Sequence, residues 1–208
     1  MTSITLPHGD ADADDITAIT QVILLERECR DHGRWERMRQ CFNADSLVRV
    51  SWFSGTGDDF VTGSIDMVER GMLAKHRLGP ILVRVAGSRA VATLGGIIDI
   101  PAVVDGVEAN LASHARFYYR LERKPGRGWL ISGFDGMYLR DELTPAVPGT
   151  TLNVPPDELT GLRKPYRLLA WLQIKLGYRP SMELPGVDRP DRVEALEAEL
   201  FGWAGIEP

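Results

Sequence analysis

The chain has 208 residues, of which 44% are hydrophobic and 25% are charged, and its formal net charge is -5. This composition is typical of a globular protein with one compact domain plus additions, and it excludes fibrous and disordered chains. An acidic balance without a Lys/Arg stripe argues against nucleic-acid binding, and no apolar run is long enough to span a bilayer. Because the acidic N-terminus carries no secretory or mitochondrial signal, we expect a cytoplasmic protein.

Helical patterns dominate the first third of the chain. Isoleucines at helical spacing predict a first helix over residues 15–29, and apolar residues on one face predict a shorter helix over 34–42. Alternation predicts a strand over 46–53. A third helix is predicted over 64–76, with Ser64 as its cap and with an inward face formed by Ile65, Val68 and Met72.

Strand patterns follow. Four segments rich in β-branched and aromatic residues are separated by turn signals, at residues 81–87, 89–100, 108–123 and 128–143. They predict consecutive antiparallel strands. Helices followed by a run of strands indicate an α+β fold in which the helices cover one face of a curved sheet.

The last part of the chain begins with a Pro-rich stretch, which predicts a connection over the surface. Two helices follow, one starting at Pro165 and one with an apolar face formed by Val193, Leu196, Leu200 and Trp203. These faces need a partner, either the main core or a second copy of the chain. We therefore divide the sequence into a flexible acidic tail (1–14), an α+β domain (15–143) and a C-terminal helical extension (144–208).

Asp31 and His76 are the first candidates for chemistry. A carboxylate at the end of the first helix faces the negative end of the helix dipole, which costs roughly 0.3–1 kcal/mol, so stability does not favour Asp31 there. If it bound one ring nitrogen of His76, the other nitrogen could accept a proton near neutral pH. The alternatives are a surface Asp bound by Arg30 or Arg34, and a His bonded to a backbone carbonyl.

The strand at 108–123 carries polar residues on one of its faces. This face is either the outside of the sheet or the lining of a polar cavity, and it holds His114, Arg116, Tyr118 and Arg120. Asp99 stands among isoleucines, where Arg140 could balance it or where it could reach water before Pro101.

Other motif classes are missing from the sequence. It contains no dinucleotide fingerprint, P-loop, nucleophile elbow or metalloprotease helix, and Cys29 and Cys41 fit neither a disulfide framework nor a zinc site. We therefore expect no metal and no cofactor. Any catalysis would proceed by proton transfer.

Three segments carry a resemblance to a known family: DHGRWERMRQCFNAD, KHRLGPILVRVAGSRAVAT and FYYRLERKPGRGWLISGFDGMYLRD. Over residues 15–143 they resemble the SnoaL-like branch of the nuclear transport factor 2-like superfamily, and within it the scytalone dehydratase and bile-acid dehydratase type. This implies a cone-shaped, strongly curved antiparallel sheet wrapped by helices around a ligand cavity. It also implies that Asp31, before Trp35, and His76, before Leu78-Gly79, match the catalytic pair of those dehydratases.

Five further residues are predicted to bind the substrate, three of them (Asp99, Arg116 and Arg140) from the resemblance. Polar substituents would be held by Asp99, Arg116 and Arg140, and apolar walls would be formed by Trp52 and Tyr138. The chain also departs from the family pattern. The fungal enzyme's second cavity histidine has no counterpart, and a tyrosine of the first helix is replaced near Glu26, which leaves the reaction type open.

The resulting hypothesis is a proton-transfer enzyme, a dehydratase (lyase), that acts on a hydrophobic cyclic carbonyl compound of polyketide or steroid type. An isomerase or cyclase with the same pair is an alternative, as is a non-catalytic small-molecule-binding module. We expect a small hydrophobic ligand and no nucleic-acid or membrane partner. The resemblance implies a homodimer through the open sheet face, and the C-terminal helices could be a lid, a brace or an interface.

Overall fold

The computed structural model describes residues 13–207. The strands, in chain order, are β1 (Phe42–Val50), β2 (Phe53–Gly55), β3 (Lys75–Ala86), β4 (Arg89–Val104), β5 (Val107–Lys124) and β6 (Gly128–Pro145). The helices are α1 (Ala13–His32), α2 (Trp35–Arg39), α3 (Gly57–Glu69), α4 (Arg167–Lys175) and α5 (Pro190–Ala204). Most of the predicted acidic tail, residues 1–12, lies outside the described residues, and its last two residues belong to α1.

The six strands form one curved sheet in the order β2-β1-β6-β5-β4-β3. The four strands β3 to β6 pair antiparallel, as predicted, but β1 runs parallel to β6, with Val48 beside Phe134. The sheet is therefore mixed and not fully antiparallel. Alternation of apolar and polar residues indicates a strand but carries no information on its direction, so the sequence did not predict the parallel pair.

The two faces of β5 show on which side of the sheet the main core and helix α1 lie. Phe117 and Tyr119 are buried in the main core together with α1, whereas Arg116 is exposed on the outer face. Gly96 of β4 is required at its position, because a Cβ atom there would lie 2.5 Å from the Phe117 ring. The polar residues of β5 thus belong to the outside of the sheet and not to an inner cavity.

The third helix differs from the prediction. It begins at Gly57, where the Thr56 side chain accepts a hydrogen bond from the Asp59 backbone N–H, and Ser64 lies buried in its middle. It ends at Glu69, so His76 is the second residue of β3. The predicted start was too late because Gly55 and Gly57 are typical of a turn in the sequence, whereas Gly57 is the first residue of the helix.

The C-terminal helices pack on their own chain. Helix α5 lies on the outer sheet face, where a small second core contains Val91, Tyr118, Leu200 and Phe201. The Tyr118 hydroxyl donates to a Glu197 carboxylate oxygen at 2.8 Å. This helix occupies part of the face through which a homodimer was expected, and the dimer stays a prediction. Among the helices of residues 13–207, none has the length and apolar character needed to cross a membrane.

Candidate active site

The end of α1 and the start of β3 meet at Asp31 and His76. The His76 Nδ1 atom lies 2.7 Å from Oδ1 of Asp31, and the His76 backbone N–H donates to Oδ2 at 2.7 Å. Both carboxylate oxygens are therefore used by one residue of β3. The exposed fractions of the two side chains are only 6% for His76 and 13% for Asp31.

This geometry fixes the protonation of the pair. Burial lowers the pKa of His76 to about 4, helped by the nearby Arg27 and Arg30 and opposed by the hydrogen bond to Asp31. Burial would raise the pKa of Asp31, but the hydrogen bonds from His76 lower it below its usual value. At neutral pH a neutral imidazole thus donates Nδ1–H to a carboxylate, and Nε2 carries the lone pair.

His76 lines an inner cavity between the sheet and the helices. Its walls are mainly apolar and aromatic and include Phe60, Met67, Met72, Ile98, Phe117 and Leu169. The volume is about 40 Å³, enough for roughly two or three water molecules. Helix α4 closes one side, where Gln173 donates to the Ser51 hydroxyl at 2.8 Å.

Two charged residues of α1 in this region were missed by the sequence prediction. Glu26 and Arg27 are buried and form a salt bridge, with Arg27 Nε 2.5 Å from a Glu26 carboxylate oxygen. The guanidinium of Arg27 lies 4.9 Å from the ring centre of Phe134, and its Nη1 atom lies 3.4 Å from His76 Nε2. Burial lowers the pKa of Arg27, but the Glu26 carboxylate reverses this effect, so the pKa is raised and the group is charged.

A second arginine of α1, Arg30, lines the same cavity and is 4% exposed. Its Nη2 atom contacts the Met67 sulfur at 3.6 Å, which is a weak acceptor. Burial and the neighbouring Arg27 lower the pKa of Arg30 to about 10, so it stays charged at neutral pH. Within the described part of the chain, no group of three or more His, Cys, Asp or Glu side chains could hold a metal ion.

A larger groove of about 870 Å³ adjoins the inner cavity. It lies between the β4–β5 hairpin and α4, and it shares the side chains of Met72 and Ile100 with the cavity. Both side chains are 3% exposed, so they separate the two spaces. Methionine is unbranched and flexible, and a movement of Met72 would therefore join the groove to the cavity.

Four of the seven predicted site residues come together here. Trp52 and Tyr138 line the inner cavity together with His76, and Asp31 holds His76 from behind. The Tyr138 hydroxyl accepts a hydrogen bond from the Ser51 backbone N–H at 3.0 Å, which fixes the position of its polar end.

The other three predicted residues lie outside this cavity, on the outer side of the sheet. Arg116 is exposed, Asp99 pairs with Arg77 at 2.5 Å, and Arg140 pairs with Glu142. Strand alternation explains their position. Ile98 and Ile100 point into the cavity, so Asp99 between them must point away.

The lowered pKa of His76 predicts a pH-dependent stability. In the unfolded chain the imidazole titrates near 6.5 and in the folded protein near 4, so acid favours the unfolded state. The contribution of His76 to the free energy of unfolding is fully present above pH 6.5. It is lost as the pH falls to about 4, which lowers the free energy of unfolding by about 3 kcal/mol. We expect the free energy of unfolding of the His76→Gln variant not to show this decrease.

This prediction is tested by the difference in the free energy of unfolding between wild type and His76→Gln, because the pH dependence of wild type alone contains other groups. Burial raises the pKa of Asp141 to about 6, so its contribution grows on acidification over an overlapping range and opposes that of His76. Urea unfolding of wild type and His76→Gln at several pH values isolates the histidine. Parallel curves between pH 6.5 and 4 would contradict the prediction.

Comparison with known proteins gives matches at the levels of family and fold. A sequence model described as a SnoaL-like domain matches residues 11–135. A PEP2-like protein of Fusarium vanettenii is 29% identical over 161 residues, which cover 76% of this chain and 69% of that protein.

Many solved structures share the fold, among them a candidate enzyme and an enzyme. One is a candidate scytalone dehydratase of Novosphingobium aromaticivorans, with TM-score 0.51, 13% identity, and coverage of 68% of this chain and 94% of that one. The other is a type 2 hexachlorocyclohexane dehydrochlorinase, with TM-score 0.52, 15% identity, and coverage of 68% and 95%. Both belong to the same α+β fold class as this chain.

Proposed function

Since this chain belongs to the SnoaL-like domain family, we propose that it is a proton-transfer enzyme of the dehydratase type, with His76 as general base and Asp31 as the group that orients it. The substrate is a hydrophobic cyclic carbonyl compound of polyketide or steroid type. His76 Nε2 removes a proton from the carbon next to the carbonyl. The same proton then goes to a departing hydroxyl group, so that water leaves.

The contact between Asp31 and His76 beside an apolar cavity is the single observation that carries this proposal. A general base needs a free lone pair that faces the substrate and a fixed ring orientation. The carboxylate binds Nδ1–H, which assigns the lone pair to Nε2 on the cavity side. Trp52 and Tyr138 supply aromatic walls against which an apolar ring can pack.

The names of two structural neighbours agree with this reaction class. A dehydratase removes water and a dehydrochlorinase removes hydrogen chloride, and either elimination takes a proton from its substrate. Identities of 13% and 15% show a common fold only. The reaction proposed for this chain therefore rests on its own Asp31 and His76.

The space around His76 limits how such a substrate can bind. Pockets for small molecules usually measure about 300–1,000 Å³, far more than the inner cavity of about 40 Å³. The adjoining groove of about 870 Å³ is large enough. We propose that the ring system occupies this groove and displaces Met72, so that its carbonyl end reaches His76.

A panel of cyclic β-hydroxycarbonyl compounds in deuterated water tests the proposed reaction. We expect mass spectrometry to detect a product that has lost one water molecule. In recovered substrate we expect deuterium next to the carbonyl, because a proton held on His76 can exchange with solvent before it returns to carbon. An unchanged mass with a moved double bond or a new ring would support the isomerase or cyclase alternative. A compound that perturbs the His76 NMR signals but undergoes neither exchange nor conversion would contradict the proposal.

A further inference from the structure

Two guanidinium groups on one side of a small apolar cavity are unusual, because burying a charge without compensation costs a large desolvation free energy. Arg27 is 3% exposed and Arg30 is 4% exposed. Both line the inner cavity together with His76. The chain must therefore compensate these charges, or a ligand must do so.

Arg27 is compensated on one side only. Its Nε and Nη2 atoms both donate to the buried Glu26 carboxylate, in the bidentate arrangement that such pairs prefer. Its Nη1 atom points to His76 Nε2 at 3.4 Å. Because Nδ1–H of His76 is donated to Asp31, Nε2 is the acceptor of this contact. The nitrogen that would take a substrate proton is thus already covered by a cation.

Arg30 has no comparable acid partner within residues 13–207. Its side-chain hydrogen bond goes to the Met67 sulfur. The adjacent carboxylate, Asp31, uses both of its oxygens for the ring and the backbone N–H of His76. Arg30 lines the cavity and, within the described chain, is hydrogen-bonded there only to a weak acceptor, so its guanidinium is available to a ligand at the cavity wall.

We propose that Arg27 and Arg30 form an anion site in the inner cavity, where the substrate oxygen that becomes negatively charged takes Arg27 away from His76 and so frees the base. This inference rests on the proposed function and narrows its substrate class. The carbon that loses the proton must be bonded to a carbonyl group whose oxygen reaches both guanidiniums.

The electron and proton balance is complete with these groups. The C–H bond breaks, its proton bonds to His76 Nε2, and its electron pair forms a C=C bond while the carbonyl π pair moves onto the oxygen beside the guanidiniums. The enolate then restores the carbonyl, the C–O bond to the leaving hydroxyl breaks, and that oxygen takes the proton from Nε2. The products are an unsaturated carbonyl compound and one water molecule.

Charge compensation links the two steps. Arg27 and Arg30 are among the causes that lower the pKa of His76, after burial. Negative charge on the substrate oxygen offsets both guanidiniums, so the basicity of Nε2 rises as the proton is transferred. Phe134 and Phe60 hold the Arg27 group at 4.9 Å and 5.7 Å from their ring centres and thereby keep it near the oxygen.

Acetate is a suitable probe, because it is a small oxygen anion, and acetamide is its neutral control. We expect acetate to bind the full chain, to shift the imidazole nitrogen NMR signals of His76 and to raise its pKa. Acetamide should not do so. The Arg30→Gln variant should bind acetate roughly 10- to 100-fold more weakly, the effect of losing one hydrogen bond from a charged group.

The variant at Arg27 needs a folding safeguard, since Arg27→Gln alone would leave the Glu26 carboxylate buried without a partner. The double variant Glu26→Gln/Arg27→Gln removes both charges together and keeps two amides of similar size. We expect the double variant to bind acetate more weakly by a similar factor. We also expect the pKa of His76 to be higher in this variant than in wild type when no ligand is present. Arg34→Gln is the matched control, because Arg34 pairs with Glu28 at the surface.

Equal acetate affinity in wild type and in both cavity variants, or equal binding of acetamide, would overturn the anion site. This measurement needs no turnover, so it is independent of the reaction. Acetate binding that depends on Arg27 and Arg30 supports the anion site even if no carbonyl compound loses water. Conversely, dehydration that is unaffected in both variants overturns the anion site and leaves the proposed reaction in place.

Discussion

His76→Ala is expected to lower the turnover of a dehydrated substrate by roughly 10²- to 10⁴-fold, the usual contribution of a positioned general base. Nε2 of this residue lies at the inner cavity, and no second histidine lines that cavity to replace it among residues 13–207. The expected effect is on kcat more than on KM, because the proton is transferred in the chemical step. Steady-state rates of wild type and variant with one substrate measure it.

His32→Ala is the matched control, because His32 is exposed at the end of α1 and bonds only to the Glu28 carbonyl within the described chain. It should keep the wild-type rate. Circular dichroism of His76→Ala must show the native fold for the comparison to count. Turnover of a folded His76→Ala protein within threefold of wild type would contradict the assignment of the base.

Glu26→Ala is expected to lower the free energy of unfolding by about 3–5 kcal/mol, the usual cost of removing one partner of a buried ion pair. Glu26 is fully buried and holds two nitrogens of Arg27. Without it, the guanidinium stays among Phe60 and Phe134 with no anion to balance its charge. Urea unfolding at neutral pH measures the change.

Glu28→Ala provides the comparison for this stability prediction. Glu28 is exposed on the outer side of α1 and pairs with the half-exposed Arg34. An exposed pair of this kind contributes about 0–1 kcal/mol. If Glu26→Ala and Glu28→Ala destabilised the protein equally, the Glu26–Arg27 pair would not be the buried ion pair described above.

Strands β4, β5 and β6 were predictable because each of them has its own alternation of apolar and polar residues and is bounded by a turn. Strand β5 is an example, since its buried residues Phe117 and Tyr119 alternate with polar ones over its central part. The start of α3 was not predictable in this way. Gly57 suggests a turn, and only the packed structure shows that the Phe42 ring occupies the space a Cβ atom would need. The direction of β1 depends on pairing with β6, which lies far away in the sequence.

The candidate site was predictable in part. Asp31 and His76 were selected because one is disfavoured by the helix dipole and the other could accept a proton, and the fold brings them together. Asp99, Arg116 and Arg140 were noticed in the strand patterns, but the substrate-binding role predicted for them came from the resemblance. The alternation of side chains along β4 already indicated that Asp99 does not face the cavity. Ile98 and Ile100 on either side of it are the residues that fit a core face, so Asp99 points the other way.

Arg27 and Arg30 had a signal in the sequence that was not used. Ile19 and Ile23 are spaced four residues apart, and the next positions on that face of a helix are 27 and 30. A charge that continues an apolar stripe is a buried charge, and such groups are often functional. The acid that balances Arg27 could not be deduced, because Glu26 precedes it directly and adjacent helix residues do not usually share a face.

Helix α5 has a consequence for the way the protein is made. It covers Val91 and Tyr118, which belong to strands synthesised long before it. During translation the outer face of the sheet therefore carries uncovered apolar surface until the ribosome has released residues 190–204. Over that interval the nascent chain is exposed to aggregation, and contacts of such long sequence separation are formed slowly.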